Sequence, residues 1–269
     1  MEHILNIVTP VFGAIGARLI GWARSLGRWC SFVGQSLAWV LRPPYRIDQF
    51  VKQMEFVGVK STGIIALTAF FTGAVFALQS GKVYALFNME SMVGATVALS
   101  LTREIGPVFA AIMVTARACS SMAAELGTMR VTEQVDALET MAVDPLHFLV
   151  VPRIVACTIM VPMLTMLYNY VGVIGAYIVG IYLLGIGEGP FMYRLYRYLD
   201  AEDIWGGLIK AAIFGFLIST ISCYMGLTTR GGAEGVGRST TRAVVYSAVT
   251  ILVTDYFLTT WILEYMIRH

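Results

Sequence analysis

The sequence predicts an all-α polytopic membrane protein with five transmembrane helices, an N-terminal interfacial helix before them and a short cytoplasmic helix between spans 2 and 3. Composition is the first observation: 57% of the 269 residues are hydrophobic and only 13% are charged, whereas soluble domains carry about 25% charged residues. The second observation is five long apolar runs. Backbone polar groups in hydrocarbon must be bonded within their own segment, so each run is interpreted as a helix.

The five runs follow one another with short polar connections. They are Thr62–Gln79, Val93–Ala124, Phe148–Gly187, Ile204–Leu227 and Ala243–Met266. The third run is longer than one simple span requires, and Pro152 and Arg153 indicate that its start lies at the membrane boundary.

The first 60 residues have a different composition from the rest of the chain. Arginine and tryptophan alternate through residues 18–46, and the apolar stretches between the charges are too short to cross a membrane. This pattern favours a helix lying in the membrane interface, with Pro43-Pro44 at its end. A sixth, poor span near Ser31–Leu41 is the alternative. The predicted regions are therefore a basic interfacial region, 1–60, and a transmembrane domain, 61–269.

Lysine and arginine counts predict the orientation of the spans. With the N-terminus in the cytoplasm, thirteen basic residues fall on the cytoplasmic side and four on the other side. The positive-inside rule favours this arrangement. It puts Leu126–His147 and Thr228–Arg242 in the cytoplasm and the C-terminus outside.

An amphipathic segment lies between spans 2 and 3, and Thr132 or an earlier residue can cap it. Four apolar residues and three acids recur there at helical spacing. They are Val131, Val135, Leu138 and Met141, and Glu133, Asp136 and Glu139. Such a helix can enter a groove of a partner while its acids set the orientation. An ordinary solvated connector is the alternative.

An ionisable pair, Arg103 and Glu104, interrupts span 2. Each charge costs roughly 2.5–3.5 kcal/mol at bilayer depth. Helix neighbours point about 100° apart, so the two need partners, water or a ligand rather than each other. Pro107 weakens the helix beside them. The pair predicts a site for the head group of an amphiphile, and a structural interhelical salt bridge is the alternative.

Other motifs argue against nucleotide, metal or catalytic chemistry. The glycine-rich loop Gly231–Gly237 has no GxxxxGK[ST] pattern and no soluble strand before it, so its glycines are expected to permit tight turns. The four cysteines form no CxxC pair and the three histidines are isolated in sequence, which predicts no metal or other cofactor. No catalytic constellation stands out, so an enzyme is not expected.

Three segments, in order along the chain, resemble the MlaE/YrbE permease family. They read ATVALSLTREIGPVFAA (Ala95–Ala111), AAELGTMRVTEQVDALETMAVDP (Ala123–Pro145) and GGAEGVGRSTTRAVV (Gly231–Val245). The resemblance extends from about span 1 to the C-terminus. One departure is Ala116-Arg117-Ala118-Cys119, where many members carry glycines around the arginine; the residues remain small, so helix packing should survive.

The resemblance implies a lipid-transport function and a set of partners. Such proteins are the transmembrane permease subunits of ABC transporters that move phospholipid between the inner and outer membranes and so bear on outer-membrane lipid asymmetry. It implies a multi-pass protein of the cell inner membrane, with a cytoplasmic N-terminus and a periplasmic C-terminus. The implied partners are a second copy in a homodimer, a cytoplasmic ABC ATPase subunit that supplies ATP hydrolysis, a periplasmic MCE-domain protein and, in some systems, a STAS-domain protein.

The resemblance also assigns residues. The ATPase would bind a coupling helix at 126–141, through Met129, Thr132, Glu133, Gln134, Asp136 and Leu138. The lipid would bind Phe76, Val83, Tyr84, Phe87, Arg103 and Glu104. In that pocket Arg103 would meet phosphate, while Glu104 would orient Arg103 or reach an amine.

Three other hypotheses compete with this one. An ion-driven secondary transporter would use Asp255 in span 5, although five spans without an inverted repeat fit it poorly. A structural scaffold for an outer partner and an intramembrane enzyme are the others.

Overall fold

The computed structural model describes residues 2–40 and 47–268. Within these residues the chain is helical almost throughout and contains no strand. They form two units, one containing helix α1 (Glu2–Val40) and the other containing every helix from Ile47 onward. Pro43 and Pro44, the predicted end of the N-terminal element, lie outside the described residues.

Five helical stretches in the described part of the chain are long and apolar enough to cross a membrane, which confirms the predicted fold class. Spans 1 to 5 are Ile47–Ala85, Glu90–Val131, Leu146–Leu183, Ala201–Leu227 and Gly232–Ile262. Helix α1 is not among them. Span 1 starts earlier than its apolar run because the amphipathic helix α2 (Ile47–Val57) and a 3-10 turn lead into the apolar α3 (Thr62–Ala85).

Span 2 is one long helix with two wider π-helical turns. Its parts are a 3-10 turn at Glu90–Met92, α4 (Val93–Ser100), a π segment at Leu101–Ile105, α5 (Gly106–Val114), a π segment at Thr115–Cys119, and α6 (Ser120–Val131). The first π segment contains Arg103 and Glu104 and ends just before Pro107. The helix therefore changes its winding at the ionisable pair, as the proline predicted.

The remaining helices complete the second unit. They are α7 (Gln134–Thr140), a π segment at Leu146–Val150, α8 (Val151–Ile178), a π segment at Val179–Leu183, α9 (Glu188–Tyr198), α10 (Ala201–Leu227) and α11 (Gly232–Arg268).

Span 3 lies at the centre of the helix packing, against spans 1 and 4. Small residues let spans 1 and 3 approach closely: a Cβ added at Gly73 would lie 1.9 Å from the carbonyl oxygen of Gly172. Spans 2, 3 and 4 are more than half buried along their most apolar stretches, whereas spans 1 and 5 are mostly exposed. Spans 1 and 5 thus present apolar surface to lipid or to another chain.

The segment predicted as one helix over Leu126–Met141 is divided in two. Helix α6 of span 2 continues to Val131, and α7 begins at Gln134. Thr132 ends α6 rather than capping α7, because its hydroxyl donates back to the Thr128 carbonyl at 2.8 Å. Between the helices Glu133 has a φ of 59°, a left-handed conformation that reverses the chain direction.

Candidate functional site

Arg103 and Glu104 each pair with a charged residue of span 4, and Glu104 also accepts from a hydroxyl of span 5. The Arg103 Nε atom donates to Asp203 Oδ1 at 2.6 Å. The Glu104 Oε2 atom accepts from Lys210 Nζ at 2.6 Å and from the Thr259 hydroxyl at 3.0 Å. Because the two side chains point in different directions, each finds its own partner and neither pairs with the other.

Lys210 is the hub of this network. Its ammonium group donates to Glu104, to Asp255 Oδ1 at 3.3 Å and to the Thr259 hydroxyl at 2.7 Å. It also donates to the Arg103 carbonyl at 3.2 Å. That carbonyl lies four residues before Pro107, which has no N–H to donate. Lys210 is only 2% exposed, so a buried cation joins spans 2, 4 and 5.

Span 4 presents this chemistry on one face of its helix. Asp203, Gly207 and Lys210 are spaced i, i+4 and i+7 and therefore lie along one stripe. A Cβ added at Gly207 would lie 2.2 Å from the Thr102 carbonyl oxygen, so the glycine lets spans 2 and 4 touch. Asp203 also accepts from the Asp200 backbone N–H at 3.2 Å in a capping box. The aspartate thus begins its own helix and anchors Arg103.

A small pocket, partly open to the surroundings, lies beside the network. Arg103 and Glu104 line it together with Glu202 and Ile262. The side chains of Arg103 and Glu104 stay 39% and 40% exposed, respectively, despite their ion pairs. Among the described residues, the Nη atoms of Arg103 and the Oε1 atom of Glu104 have no hydrogen-bond partner. The pocket can therefore offer both a cationic and an anionic group to a ligand.

The network carries more negative than positive charge. Two cations, Arg103 and Lys210, meet three carboxylates, Glu104, Asp203 and Asp255, and Glu202 adds a fourth at the pocket wall. An additional positive group would be favoured here, since like charges in a low-dielectric setting repel strongly.

The four predicted lipid-binding residues of span 1 and the loop after it do not line this pocket. Phe76 and Tyr84 are half-buried against the core, and the Tyr84 hydroxyl is 2.8 Å from the Thr96 hydroxyl. Val83 and Phe87 are exposed, Phe87 by 68%. Within a single chain the structure therefore brings Arg103 and Glu104 together with spans 4 and 5, and leaves these four residues elsewhere.

Sequence reasoning missed three members of the network as site residues: Asp203, Lys210 and Thr259. The signal for Lys210 was present, because an ionisable residue inside an apolar run needs a partner. Asp255 drew attention for the same reason, but as an ion-coupling residue. Thr259 gave no signal, because threonine is common in transmembrane helices and its partners come from other spans.

The predicted ATPase-binding residues lie around the break between α6 and α7. Thr132, Glu133, Gln134 and Asp136 are exposed, and Met129 and Leu138 are half-buried. Asp136 is ion-paired with Arg130, and Val135 is buried. The segment is thus fixed to the end of span 2 by its inner side and presents a polar, partly acidic outer side.

The sequence of this chain matches a known protein family. The Permease MlaE family matches residues 50–261. This range includes all five spans apart from the first three residues of span 1 and the last residue of span 5. The chain belongs to the MlaE permease family. The predicted resemblance is thereby confirmed, and the chain is a membrane-embedded transporter permease by family.

Named relatives cover nearly the whole chain. A probable ABC transporter permease protein of Rickettsia felis is 44% identical over 95% of this chain and 97% of its own length. The intermembrane phospholipid transport system permease protein MlaE of Haemophilus influenzae is 36% identical over 94% of this chain and 97% of its own. The chloroplastic protein TRIGALACTOSYLDIACYLGLYCEROL 1 of Arabidopsis thaliana is 37% identical over 86% of this chain and 66% of its own.

Proposed function

We propose that this permease moves phospholipid between the inner and outer membranes, with ATP hydrolysis supplied by a partner subunit. The observation that carries the proposal is the pocket beside Arg103 and Glu104, where no described residue bonds the Arg103 Nη atoms or the Glu104 Oε1 atom. The name of the Haemophilus relative, an intermembrane phospholipid transport permease, supports the same cargo class.

The head group would meet both charges of the pocket. The Arg103 Nη atoms suit phosphate oxygens, since guanidinium and phosphate form strong charge-assisted hydrogen bonds. Glu104 and Glu202 suit an amine, and the negative excess of the network favours it. A zwitterionic head group fits this pocket better than a purely anionic one. In this proposal Glu104 contacts the amine, and Lys210 holds the Glu104 side chain in place.

The apolar part of the cargo needs a second surface. Phe76, Val83, Tyr84 and Phe87 lie on or just after span 1, whose outer face is mostly exposed. In the proposed homodimer, a second copy would cover the exposed faces of spans 1 or 5 and enclose the acyl chains between the two subunits. Apolar surfaces of this extent are favoured as sites for lipid or for another protein.

Partners and orientation complete the proposal. The ATPase would dock on residues 126–141, an MCE-domain protein would bind on the periplasmic side, and a STAS-domain protein is a further candidate partner on the ATPase. The chain would lie in the cell inner membrane with its N-terminus in the cytoplasm. Reporter fusions at Gly232 and at the C-terminus should then report the cytoplasm and the periplasm respectively, and the reverse pattern would overturn the orientation.

Lipid analysis of the purified protein tests the cargo site. Arg103→Ala and Glu104→Ala should each lower the amount of copurified phospholipid, because each removes one contact to the head group. Arg197→Ala, which removes an exposed arginine of α9 outside the pocket, is the matched control. Equal phospholipid in the wild type and in both pocket variants would contradict the site and favour a scaffold.

ATP hydrolysis tests the division of labour. The chain alone should hydrolyse no ATP, and addition of an ABC ATPase subunit should produce both hydrolysis and lipid transfer. Hydrolysis by the chain alone would rule out the proposed division. Lipid transfer that continues without ATP and follows a proton gradient would instead favour the secondary transporter.

A further inference from the structure

A buried ion pair joins the two stems that carry the cytoplasmic segment between spans 2 and 3. The Arg153 Nη2 atom donates to Glu125 Oε2 at 3.0 Å, and its Nη1 atom donates to the Leu149 carbonyl at 3.2 Å. Arg153 is 6% exposed, whereas the Glu125 side chain is half exposed. Glu125 lies near the end of span 2 and Arg153 near the start of span 3, so the pair closes the base of the segment that contains α7.

The two stems share span 4 as a neighbour and differ in their other neighbour. Helix α6, which contains Glu125, packs mainly against spans 4 and 5. Glycines bring it close to span 4 and to the connection after it: a Cβ at Gly226 would lie 2.7 Å from the Cβ of Leu126, and one at Gly127 would lie 3.0 Å from the Thr229 hydroxyl. Helix α8, which contains Arg153, packs mainly against spans 1 and 4. The ion pair therefore joins a stem that packs on span 5 to a stem that packs on span 1.

The segment between the stems is attached at both ends. Asp136 of α7 is paired with Arg130 of α6. Before span 3, the Asp144 Oδ1 atom accepts from the Leu146 backbone N–H at 2.8 Å. The segment therefore leads from Glu125 in α6, through α7, to Arg153 in α8.

We propose that the Glu125–Arg153 ion pair is the link through which movement of the coupling segment reaches span 3 as well as span 2. The inference rests on the proposed function, in which an ATPase docks on this segment. In the part of the chain that the structure describes, Glu125 is the carboxylate paired with this buried charge. A charge so placed strongly favours contact with its partner, because separation leaves it unpaired in a low-dielectric setting.

Charge exchange in the complete complex with the ATPase subunit tests the link. Glu125→Arg and Arg153→Glu should each retain the ATPase on purification, because neither residue lies on the exposed side of α7. Each should lower lipid transfer about tenfold, because two like charges then face each other where the ion pair stood. The double exchange, Glu125→Arg with Arg153→Glu, should return transfer to within about twofold of the wild type.

A milder variant keeps the test decisive if the exchanged side chains prevent folding. Glu125→Gln keeps the shape of a half-exposed side chain and an oxygen that can accept from Arg153, and it should lower transfer in a chain that still folds, with a lower thermal unfolding temperature because Arg153 loses its anionic partner. Glu234→Gln is its control, because Glu234 pairs with Arg238 within one helix and joins no two elements. Wild-type transfer in Glu125→Gln, or a folded double exchange no better than its single variants, would overturn the link.

The same experiment separates this inference from the function on which it rests. A wild-type chain that does not retain the ATPase would remove the proposed function itself. If every variant retained the ATPase and transferred lipid as the wild type does, only the proposed role of the Glu125–Arg153 pair would be contradicted.

Discussion

Two regions along span 2 both contain ion pairs, but the ion pairs of one region are centred on a buried cation and those of the other are exposed. Near the first π segment of span 2, Lys210 is 2% exposed and contacts partners on spans 2 and 5. At the end of span 2, Arg130 and Asp136 form a single ion pair with side chains 38% and 50% exposed. The buried cluster fixes where three helices stand, whereas the exposed pair holds a short helix in place and leaves its outer side free to bind.

The contrast has an energetic basis. A charge removed from water is held only by its partners, so loss of one partner leaves the others uncompensated. An exposed pair exchanges its partner for water at little cost. Variants at the two ends should therefore differ strongly in stability even where the ion pairs look alike.

The largest effect is expected at the centre of the buried cluster. Lys210→Met leaves Glu104 and Asp255 without their cation and the Arg103 carbonyl without its donor. We expect the free energy of unfolding to fall by about 3–5 kcal/mol, measured by chemical unfolding in detergent micelles. Lys82→Met is the matched control, because Lys82 is exposed at the end of span 1. Equal losses in the two variants would show that burial of Lys210 does not matter.

The next effect concerns the close approach of the spans that form the cluster. Gly207→Ala puts a methyl group 2.2 Å from the Thr102 carbonyl oxygen, so spans 2 and 4 must separate. We expect a loss of about 1–3 kcal/mol in the free energy of unfolding, together with less copurified lipid, because Asp203 and Lys210 move away from Arg103 and Glu104.

Gly63→Ala is the control for that substitution. Gly63 lies in α3, and beyond its own stretch of helix no described residue comes within 4 Å of its added Cβ. The control should be neutral or slightly stabilising, since alanine favours a helix over glycine. A stable Gly207→Ala with normal lipid content would mean that helix contact does not shape the pocket.

The five spans could be predicted from the sequence because the cause is local. An apolar run in hydrocarbon must satisfy its own backbone, whatever its neighbours do. The details that depend on neighbours were not predictable in the same way. The amphipathic α2 is continuous with span 1, although its composition differs from that of the apolar run. The helix after Leu126 breaks at Glu133, although the residues there keep a helical spacing.

The residues of the site also separate into those that the sequence could predict and those that it could not. Arg103 and Glu104 could be found in the sequence because an isolated charge in an apolar run is costly. Their partners could not, since the choice of Asp203 and Lys210 depends on where Gly207 lets span 4 approach. The span 1 residues taken from the family resemblance lie outside this pocket.

At the exposed end, the expected effect is on binding rather than on stability. Glu133→Lys reverses a charge on the outer side of the segment and should weaken association with the ATPase about tenfold, or about 1.4 kcal/mol. Membrane insertion should be unchanged, because Glu133 is exposed. Copurification of the ATPase measures the effect, and Glu55→Lys, an exposed acid on α2, is the control. Undiminished copurification would count against docking at this surface.

The smallest effect is expected from the exposed ion pair itself. Asp136→Asn removes one charge of the Arg130–Asp136 pair but keeps the shape of the side chain. The free energy of unfolding should fall by only about 0.2–1 kcal/mol, since both groups regain water. Comparison with Lys210→Met in the same unfolding assay makes the contrast quantitative. If Asp136→Asn cost as much as Lys210→Met, burial would not be what separates the two ends of span 2, and α7 would have to be treated as part of the core rather than as a docking surface.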